Sequence, residues 1–433
     1  MTGLDARLQR RYDDLVMAHS NTVTTLAAGM KALPHSGKAF AQVQALWRFL
    51  GNDKVKPSDL AKPLLALAHE GCEQDCGHYA LVVHDWSRIN FMHHSSKADR
   101  LQMTHKGDIG YELQSSLLVS DLDGSPICTP AQNLAIHEGV LSTRTDQMLA
   151  HDKHLNELSE RLNWLEAQQF AKPLVHIVDR EADSVGHLRQ WQAAGQRWLV
   201  RVKANSTAHH RGQSAWMKAI AEHLSFQPAR KVTYKGTAAM QWVAETDVVL
   251  TRQAQPAAKT RAQRATLRTS GEPLPARLIV SKIMGSDGKL LAIWYLLSNV
   301  EPDVKTEQIA LWYYWRWQIE SYFKLLKEGG HQLESWQQEC GEAVFKRLLI
   351  ASQACAVAWK LMRAEGEFAE QTKTFLVRLS GRQMKRSTPV TASALLSGLY
   401  MLLVMTETLE QYSADELAAF AKEAIGWMPR SRR

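Results

Sequence analysis

Cysteine is scarce in this chain of 433 residues, and long hydrophobic runs are missing. The five cysteines are an odd number scattered along the sequence, which excludes a disulfide framework. No apolar run approaches the ~18 residues that a membrane helix needs; the longest candidate, at residues 394–405, is interrupted by Ser397 and Gly398. The first residues contain no apolar segment of a secretory signal. We therefore expect a soluble protein of a reducing compartment, with no membrane partner.

The excess of positive charge is small. Lys and Arg number 52 against 44 Asp and Glu, a formal charge of +8, which permits nucleic acid as a partner without establishing it. Charged residues make up 22% and hydrophobic residues 45%, so a largely disordered chain is excluded. At ~100–200 residues per domain, the length suggests two or three domains.

Three regions differ in their hydrophobic periodicity. Residues 1–70 have apolar positions at helical spacing among many cations, which predicts a helical head suited to DNA; a solvated helical cap is the alternative. Residues 71–370 alternate apolar runs with amphipathic segments and contain a β-rich insertion at about 204–300, which predicts a mixed α/β core. Residues 371–433 are predicted to be helical.

Two predicted strands end in aspartate. The run His78–Asp85 reads HYALVVHD, and Pro173–Asp179 reads PLVHIVD. Aspartates at the ends of adjacent strands meet at one edge of a sheet, where Glu320 from a packed helix could complete an oxygen cage for Mg²⁺. Three acids among 44 are weak evidence, and two strand-end caps with a surface glutamate are the simpler alternative.

The predicted helix around Glu320 strengthens the case. At about 100° per residue, one stripe roughly 80° wide contains a single acid with a tyrosine and three cations: Tyr313, Arg316, Glu320, Lys324 and Lys327. The adjoining face is apolar and aromatic. This pattern suits a metal-binding glutamate flanked by groups that hold DNA phosphates. The alternative is a surface helix with salt bridges at i,i+4.

The same residues resemble a known signature. The spacing Tyr313-x2-Arg316-x3-Glu320-x6-Lys327 is similar to the Y-R-E-K motif of the insertion-sequence-four family of bacterial DDE transposases. The segment 178–183, VDREAD, resembles that family's segment around its second aspartate, and Asp85 lies where the family has its first. In the head, residues 36–38 and 47–52 resemble the family's N-terminal DNA-binding segment.

The resemblance implies a fold, an activity and partners. The core would be ribonuclease-H-like, with the β-rich insertion between the second aspartate and the glutamate. Asp85, Asp179 and Glu320 would hold two Mg²⁺ ions, which Mn²⁺ could replace, for strand cleavage and strand transfer in cut-and-paste transposition. The partners would be double-stranded DNA, as transposon end and as target, and a second copy of the chain through residues 371–433. The protein would be cytoplasmic, and nucleoid-associated when bound.

Further DNA contacts follow from the resemblance. Trp294 resembles a tryptophan that stacks on a flipped base, which base–aromatic stacking makes physically reasonable; a core tryptophan in a strand is the alternative. Asp183 is expected to support the strand–helix turn rather than bind metal. The DNA-binding candidates are Tyr313, Arg316, Lys324, Lys327, Arg201, Lys203, Trp294, Lys38 and Arg48. A basic loop over residues 252–268 is expected to add non-specific affinity.

Two other functions remain open. One is a catalytically silent DNA-binding relative that acts as an inhibitor or regulator, and the other is a structure-specific nuclease on the same core. All three carboxylates and the Tyr, Arg and Lys of the motif are present, which favours the active transposase.

Overall fold

The computed structural model describes residues 3–20, 44–254, 271–329, 331–381 and 390–426. Their contacts group into two units. The first contains Ala61–Ile89 and Gly110–Tyr322, and the second contains Thr2–Leu60, Asn90–Ile109 and Phe323–Arg433. The bounds of these units differ from the predicted region bounds at residues 70 and 370. The assignment of those three regions to DNA binding, catalysis and dimerisation remains a prediction.

The described part of the chain combines helices with one large sheet. The strands are β1 Ala80–Asn90, β2 Leu101–Gln102, β3 Ile109–Ser120, β4 Pro126–Ile136, β5 Gly139–Ser142, β6 Leu174–Val178, β7 Arg197–Val202, β8 Thr207–His210, β9 Gln213–Trp216, β10 Gln227–Tyr234, β11 Thr237–Leu250, β12 Leu274–Gly285 and β13 Leu290–Ser298. The helices are α1 Ala6–Ser20, α2 44–50, α3 Pro57–Gln74, α4 His154–Glu166, α5 Val185–Ala193, α6 Met217–Glu222, α7 Thr306–Trp315, α8 Trp317–Lys324, α9 Gly341–Arg363, α10 Glu367–Leu379, α11 Ala392–Gln411 and α12 Ala414–Gly426. Shorter turns are the 3₁₀ segments Arg180–Ala182 and Leu333–Ser335 and the π segment Leu325–Gly329.

The sheet is mixed. Its strand order is β5-β4-β3-β1-β6-β7-β13-β12-β11-β8-β9, with β10 paired to β11. Strands β1, β6 and β7 run parallel to one another, whereas β3–β4 and β7–β13 are antiparallel pairs. The predicted β-rich insertion therefore continues the same sheet through β13 instead of forming a layer of its own. This confirms the predicted α/β class with a mixed sheet.

The register between β1 and β6 decides where the two aspartates lie. All five residues of β6 are buried, as are the first five residues of β1, which is typical of parallel strands covered on both faces. His84 pairs with Val178, so the next residues, Asp85 and Asp179, follow side by side. Helices α4 and α5 contribute Leu162, Leu188 and other apolar side chains to the core cluster that covers one face of this sheet.

Strand β1 is longer than predicted. It continues past Asp85 to Asn90, whereas β6 ends at Val178 as expected. Beyond Asp85 the strand is only half-buried, with Ile89 buried between exposed Arg88 and Asn90, and this alternation lets a strand continue without a continuous apolar run. Asp85 therefore lies within a strand.

The predicted single helix over residues 311–330 is interrupted. Its apolar face is confirmed, since Trp312, Ile319 and Tyr322 are buried. However, α7 ends at Trp315 and α8 begins at Trp317, because Arg316 N–H donates to the carbonyl of Tyr313 at 3.1 Å and the Arg316 carbonyl accepts from Ile319 at 3.2 Å. Both bonds span three residues, so the backbone tightens at Arg316 as in a 3₁₀ turn.

A second irregularity follows α8. Residues Leu325–Gly329 form a π segment, whose wider turn breaks the α-helical period. The predicted alignment of Lys327 with Glu320 on one stripe therefore does not follow from the observed helix geometry. The pair Gly329-Gly330 predicts a helix C-cap from the sequence, but Gly330 lies outside the described residues.

Helix α11 corrects the estimate of the longest apolar run. It has 20 residues and is long and apolar enough by length and composition to cross a membrane, the one such helix among the described residues. It passes through Gly398, where a Cβ atom would clash with the backbone oxygen of Leu376 in α10, so the glycine permits close packing of the two helices. Leu395 and Leu396 are buried. A core helix of a soluble protein can be equally long and apolar, so this single helix is weak evidence for a membrane span.

Candidate active site

Three carboxylates in the first unit contact one guanidinium group. Arg316 Nη1 donates to Asp85 Oδ2 at 2.9 Å, and its Nη2 donates to Glu320 Oε1 at 2.6 Å and lies 3.7 Å from Asp179 Oδ2. The acids come from β1, from the end of β6 and from α8. The structure thus brings together the three predicted acids, with the motif arginine at their centre.

Asp179 has further partners. Its Oδ1 accepts from the Tyr313 hydroxyl at 3.0 Å, from Arg201 Nη1 at 3.4 Å and from the backbone N–H of Arg180 at 2.6 Å. Tyr313 and Arg316 are only 3% and 7% exposed. Both residues therefore face the carboxylates, which disfavours the alternative of a solvated surface helix.

The pKa values of the two aspartates are shifted in opposite directions. Burial raises the pKa of Asp85 to about 6, which Arg316 only partly offsets and the neighbouring Asp179 and Glu320 reinforce. Burial would also raise the pKa of Asp179, but Arg316, the Arg180 N–H, Arg201 and the Tyr313 hydroxyl outweigh it and hold that pKa below its usual value. Burial raises the pKa of Tyr313, which therefore stays a neutral donor.

The carboxylate oxygens of the three acids suit a hard divalent cation, although they now contact Arg316. Mg²⁺ and Mn²⁺ prefer carboxylate oxygens and water, and three carboxylates converge here on a single positive group. Within the described ranges, no group of three His, Cys, Asp or Glu side chains is arranged to hold a metal ion as it stands. Each of the three acids contacts Arg316 instead.

An aromatic cavity of about 440 Å³ is lined in part by Tyr313 and Arg201, two partners of Asp179. The half-buried Trp294 on β13 forms part of its wall, with its ring centroid 5.4 Å from that of Tyr313 and 6.3 Å from that of Tyr234. Arg201, Lys235 and Arg316 add positive charge to the lining. Because Trp294 faces this cavity, the alternative of an ordinary core tryptophan is disfavoured.

Comparison with known protein families identifies a matching domain. The family model described as transposase DDE domain matches residues 140–359, just over half of the chain. The chain belongs to the transposase DDE domain family. The match contains Asp179 and Glu320 and begins after Asp85.

No curated protein matches the chain. Among solved structures, the chain is similar to the piggyBac transposase in its synaptic complex with hairpin DNA, determined by cryo-electron microscopy. The identity is 12%, the TM-score is 0.41, and the alignment covers 100% of this chain and 79% of that one.

Asp183, the last acid of VDREAD, organises the edge of the DDE domain beyond the carboxylates. It accepts hydrogen bonds from the backbone N–H of Lys203 at 3.0 Å and from the Ser206 hydroxyl, and it pairs with Arg252. The carboxylate therefore fixes the chain after β7 and the start of the basic loop. These side-chain contacts support the chain after β7, whereas the sequence predicted support of the strand–helix turn.

Other predicted DNA contacts of the DDE transposase differ in exposure. Lys203 and Lys324 are exposed, as is Arg48 on α2. Lys327 is 24% exposed and lies 3.7 Å from Glu334. Lys38 and most of the basic loop, residues 255–268, lie outside the described residues. The DNA-binding roles of these cations remain predictions.

Sequence reasoning missed the hairpin that forms one wall of the cavity. Strands β10 and β11 meet at Lys235 and Gly236, which both have positive φ, and the Tyr314 hydroxyl donates to the Thr233 carbonyl at 2.6 Å. The Lys-Gly pair between two β-like runs was a readable turn signal. Nothing local indicated that its tip lies against Trp294.

Proposed function

We propose that the protein is a DNA transposase of the insertion-sequence-four group, which binds terminal inverted repeats and performs metal-dependent cut-and-paste transposition. The observation that carries the proposal is the convergence of Asp85, Asp179 and Glu320 on Arg316. Membership of the DDE family supports DNA cleavage and strand transfer as the reaction class.

The strand order supports a ribonuclease-H-like core. Strands β4-β3-β1-β6-β7 are consecutive in the sheet, with β1, β6 and β7 parallel and β4 antiparallel to β3. We assign the acids at β1 and β6 to the catalytic edge of this core, and β8 to β13 to the insertion that precedes Glu320.

The carboxylates are the proposed holders of divalent metal. Asp85, Asp179 and Glu320 would bind two Mg²⁺ ions, or Mn²⁺ in their place, with oxygens that now accept from Arg316. When bound, such ions supply an activated oxygen nucleophile and stabilise the leaving oxygen. The Tyr313 hydroxyl orients Asp179 through its 3.0 Å hydrogen bond.

The surrounding residues would position DNA. A flipped base would stack on Trp294 in the aromatic cavity, which stabilises by ~1–3 kcal/mol, while Arg201 and Lys203 approach the backbone. Lys324, Lys327, Arg48 and Lys38 would hold further phosphates. In this group the freed 3′-OH would attack the opposite strand to form a hairpin, and the hairpin would be reopened to free the 3′-OH again before strand transfer into target DNA. Two copies of the chain would pair the ends in the cytoplasm.

Cleavage of the element's own end DNA tests the proposal. We expect Asp85→Ala, Asp179→Ala and Glu320→Ala to lower Mg²⁺-dependent cleavage by about 1,000-fold or more, because each removes a metal ligand. End binding in a gel-shift assay should persist. Asp303→Ala, an exposed acid of the same unit, is the control and should cleave normally. Near-wild-type cleavage by Asp179→Ala would contradict the assignment.

The alternative is a silent DNA-binding relative that regulates transposition. It predicts that wild-type protein binds ends but shows no metal-dependent cleavage under any condition. The presence of all three acids in contact with one cation disfavours it. A structure-specific nuclease would cleave without joining ends to target DNA.

A further inference from the structure

Arg316 has an unusual charge environment for a residue expected to bind DNA. Its guanidinium contacts three carboxylates from three separate elements. The second cation nearby, Arg201, reaches only Asp179, at 3.4 Å. With both arginines counted, the cluster still has three negative charges against two positive ones.

The backbone fixes the guanidinium at this place. Arg316 lies at the tight turn between α7 and α8. Its backbone is hydrogen-bonded to the backbone of Tyr313 on one side and of Ile319 on the other. Ile319 is fully buried, and the Tyr313 ring centroid lies 6.0 Å from the guanidinium carbon. These contacts hold Arg316 against the acids instead of directing it to solvent.

We propose that Arg316 is a positioning residue that holds the three carboxylates together and competes with divalent cations for their oxygens. The inference rests on the proposed function, since it assumes that these acids bind metal. Asp85 Oδ2 and Glu320 Oε1 accept from Arg316 at 2.9 and 2.6 Å. A hard cation would bind the same oxygens, and two positive groups on shared oxygens repel one another. Metal binding therefore requires the guanidinium to withdraw.

Metal titration of the full-length protein tests the competition. We expect Arg316→Gln, measured by calorimetry with Mn²⁺, to bind roughly ten-fold more tightly than wild type, because the competing charge is gone. Arg201→Gln should show a smaller gain, since Arg201 contacts one acid. Arg197→Gln, which breaks an ion pair with Glu301 elsewhere in the same unit, should leave Mn²⁺ affinity unchanged. Asp179→Asn added to Arg316→Gln should remove the gain.

Thermal melting supplies a readout that a structural role alone would not produce. Without Mn²⁺, Arg316→Gln should melt lower than wild type, because three carboxylates lose their shared donor. Mn²⁺ should raise its melting temperature more than that of wild type, since stabilisation of the folded state increases with the logarithm of ligand affinity. Arg316→Lys keeps one charge but lacks the planar fork, so its Mn²⁺ affinity should lie between the two; it also serves if the Gln variant fails to fold.

The outcomes separate this inference from the proposed function. Equal or weaker Mn²⁺ binding by Arg316→Gln, or a stability loss that Mn²⁺ does not restore, would overturn the competition. If that occurs while Asp179→Ala still abolishes cleavage, the proposed function stands and only this inference fails. If neither wild type nor Arg316→Gln binds Mn²⁺, both fail.

Discussion

Both units contain buried arginines, and Arg316 in the first unit and Arg347 in the second have partners of different chemistry. Arg316 in the first unit lies among carboxylates, and although burial alone would lower its pKa, Tyr313 and the acids hold that pKa above its usual value. Arg347 in the second unit is 1% exposed, donates to Gln338 at 2.9 Å and lies 4.1 Å from the Trp336 ring centroid. Burial lowers the pKa of Arg347 to about 9.

The chemistry of the partners distinguishes Arg316, in a candidate active site, from Arg347, in a packed core. The carboxylates around Arg316 have charge that another cation can neutralise, so their partner is exchangeable. A ring face and a neutral amide offer no such ligand to a metal ion, so the contacts of Arg347 with Trp336 and Gln338 serve packing. Burial of a charged side chain is therefore not enough to indicate function; the chemistry of its partners decides.

The largest expected effect is on folding of the second unit. Arg347→Ala should lower the free energy of unfolding by about 3 kcal/mol or more, because it leaves a cavity beside Trp336 and a buried Gln338 without its donor. Urea unfolding with and without Mn²⁺ measures this. Mn²⁺ should not restore the stability of Arg347→Ala, whereas it should restore that of Arg316→Gln. Restoration of Arg347→Ala by Mn²⁺ would contradict the distinction between the two arginines.

The pH dependence of stability should have opposite signs in the two units. Asp85 has a pKa raised by burial to about 6, so its contribution is full below its ordinary pKa of 3.8 and is lost as pH rises through 6. Burial, followed by Arg347, lowers the pKa of His331 from 6.5 to about 3, so its contribution is present above 6.5 and is lost as pH falls.

Melting curves from pH 7.5 to 5 test both signs. Acidification should cost wild type about 2 kcal/mol through His331, partly offset by Asp85. His331→Gln should flatten the acid loss, and Asp85→Asn should steepen it. If His331→Gln loses as much stability as wild type between pH 7.5 and 5, His331 is not the group responsible for the acid loss.

The smallest effect concerns Lys327, a cation of the second unit predicted to act on DNA instead of the fold. Lys327→Ala should change stability by at most ~1 kcal/mol, since it breaks one partly exposed pair with Glu334. It should lower Mg²⁺-dependent cleavage about ten-fold, or ~1.4 kcal/mol in the barrier. Lys327→Arg should restore only part of the rate. Lys360→Ala, on the exposed side of α9, is the matched control; activity lost only in proportion to unfolding would make Lys327 structural.

Local patterns predicted much of the first unit. The apolar runs before Asp85 and Asp179 became β1 and β6, because a continuous apolar run suits a strand buried on both faces. The unbroken α-helix that the wheel assumes is interrupted at Arg316 and again after Lys324, although Arg316 and Glu320 still lie together as predicted.

By itself, the sequence determined the residue types and spacings of the site: two aspartates after apolar strands, and a glutamate four residues after an arginine. It also determined the mixed α/β class, because periods of 2 and 3.6 are properties of the local chain. Only the tertiary structure decided that β1 and β6 pair in the register that aligns the aspartates, that the insertion joins the same sheet, and that Arg316 turns inward to all three acids. Those facts depend on contacts between residues far apart in sequence, where pairing, burial and charge act together and no local pattern records the outcome.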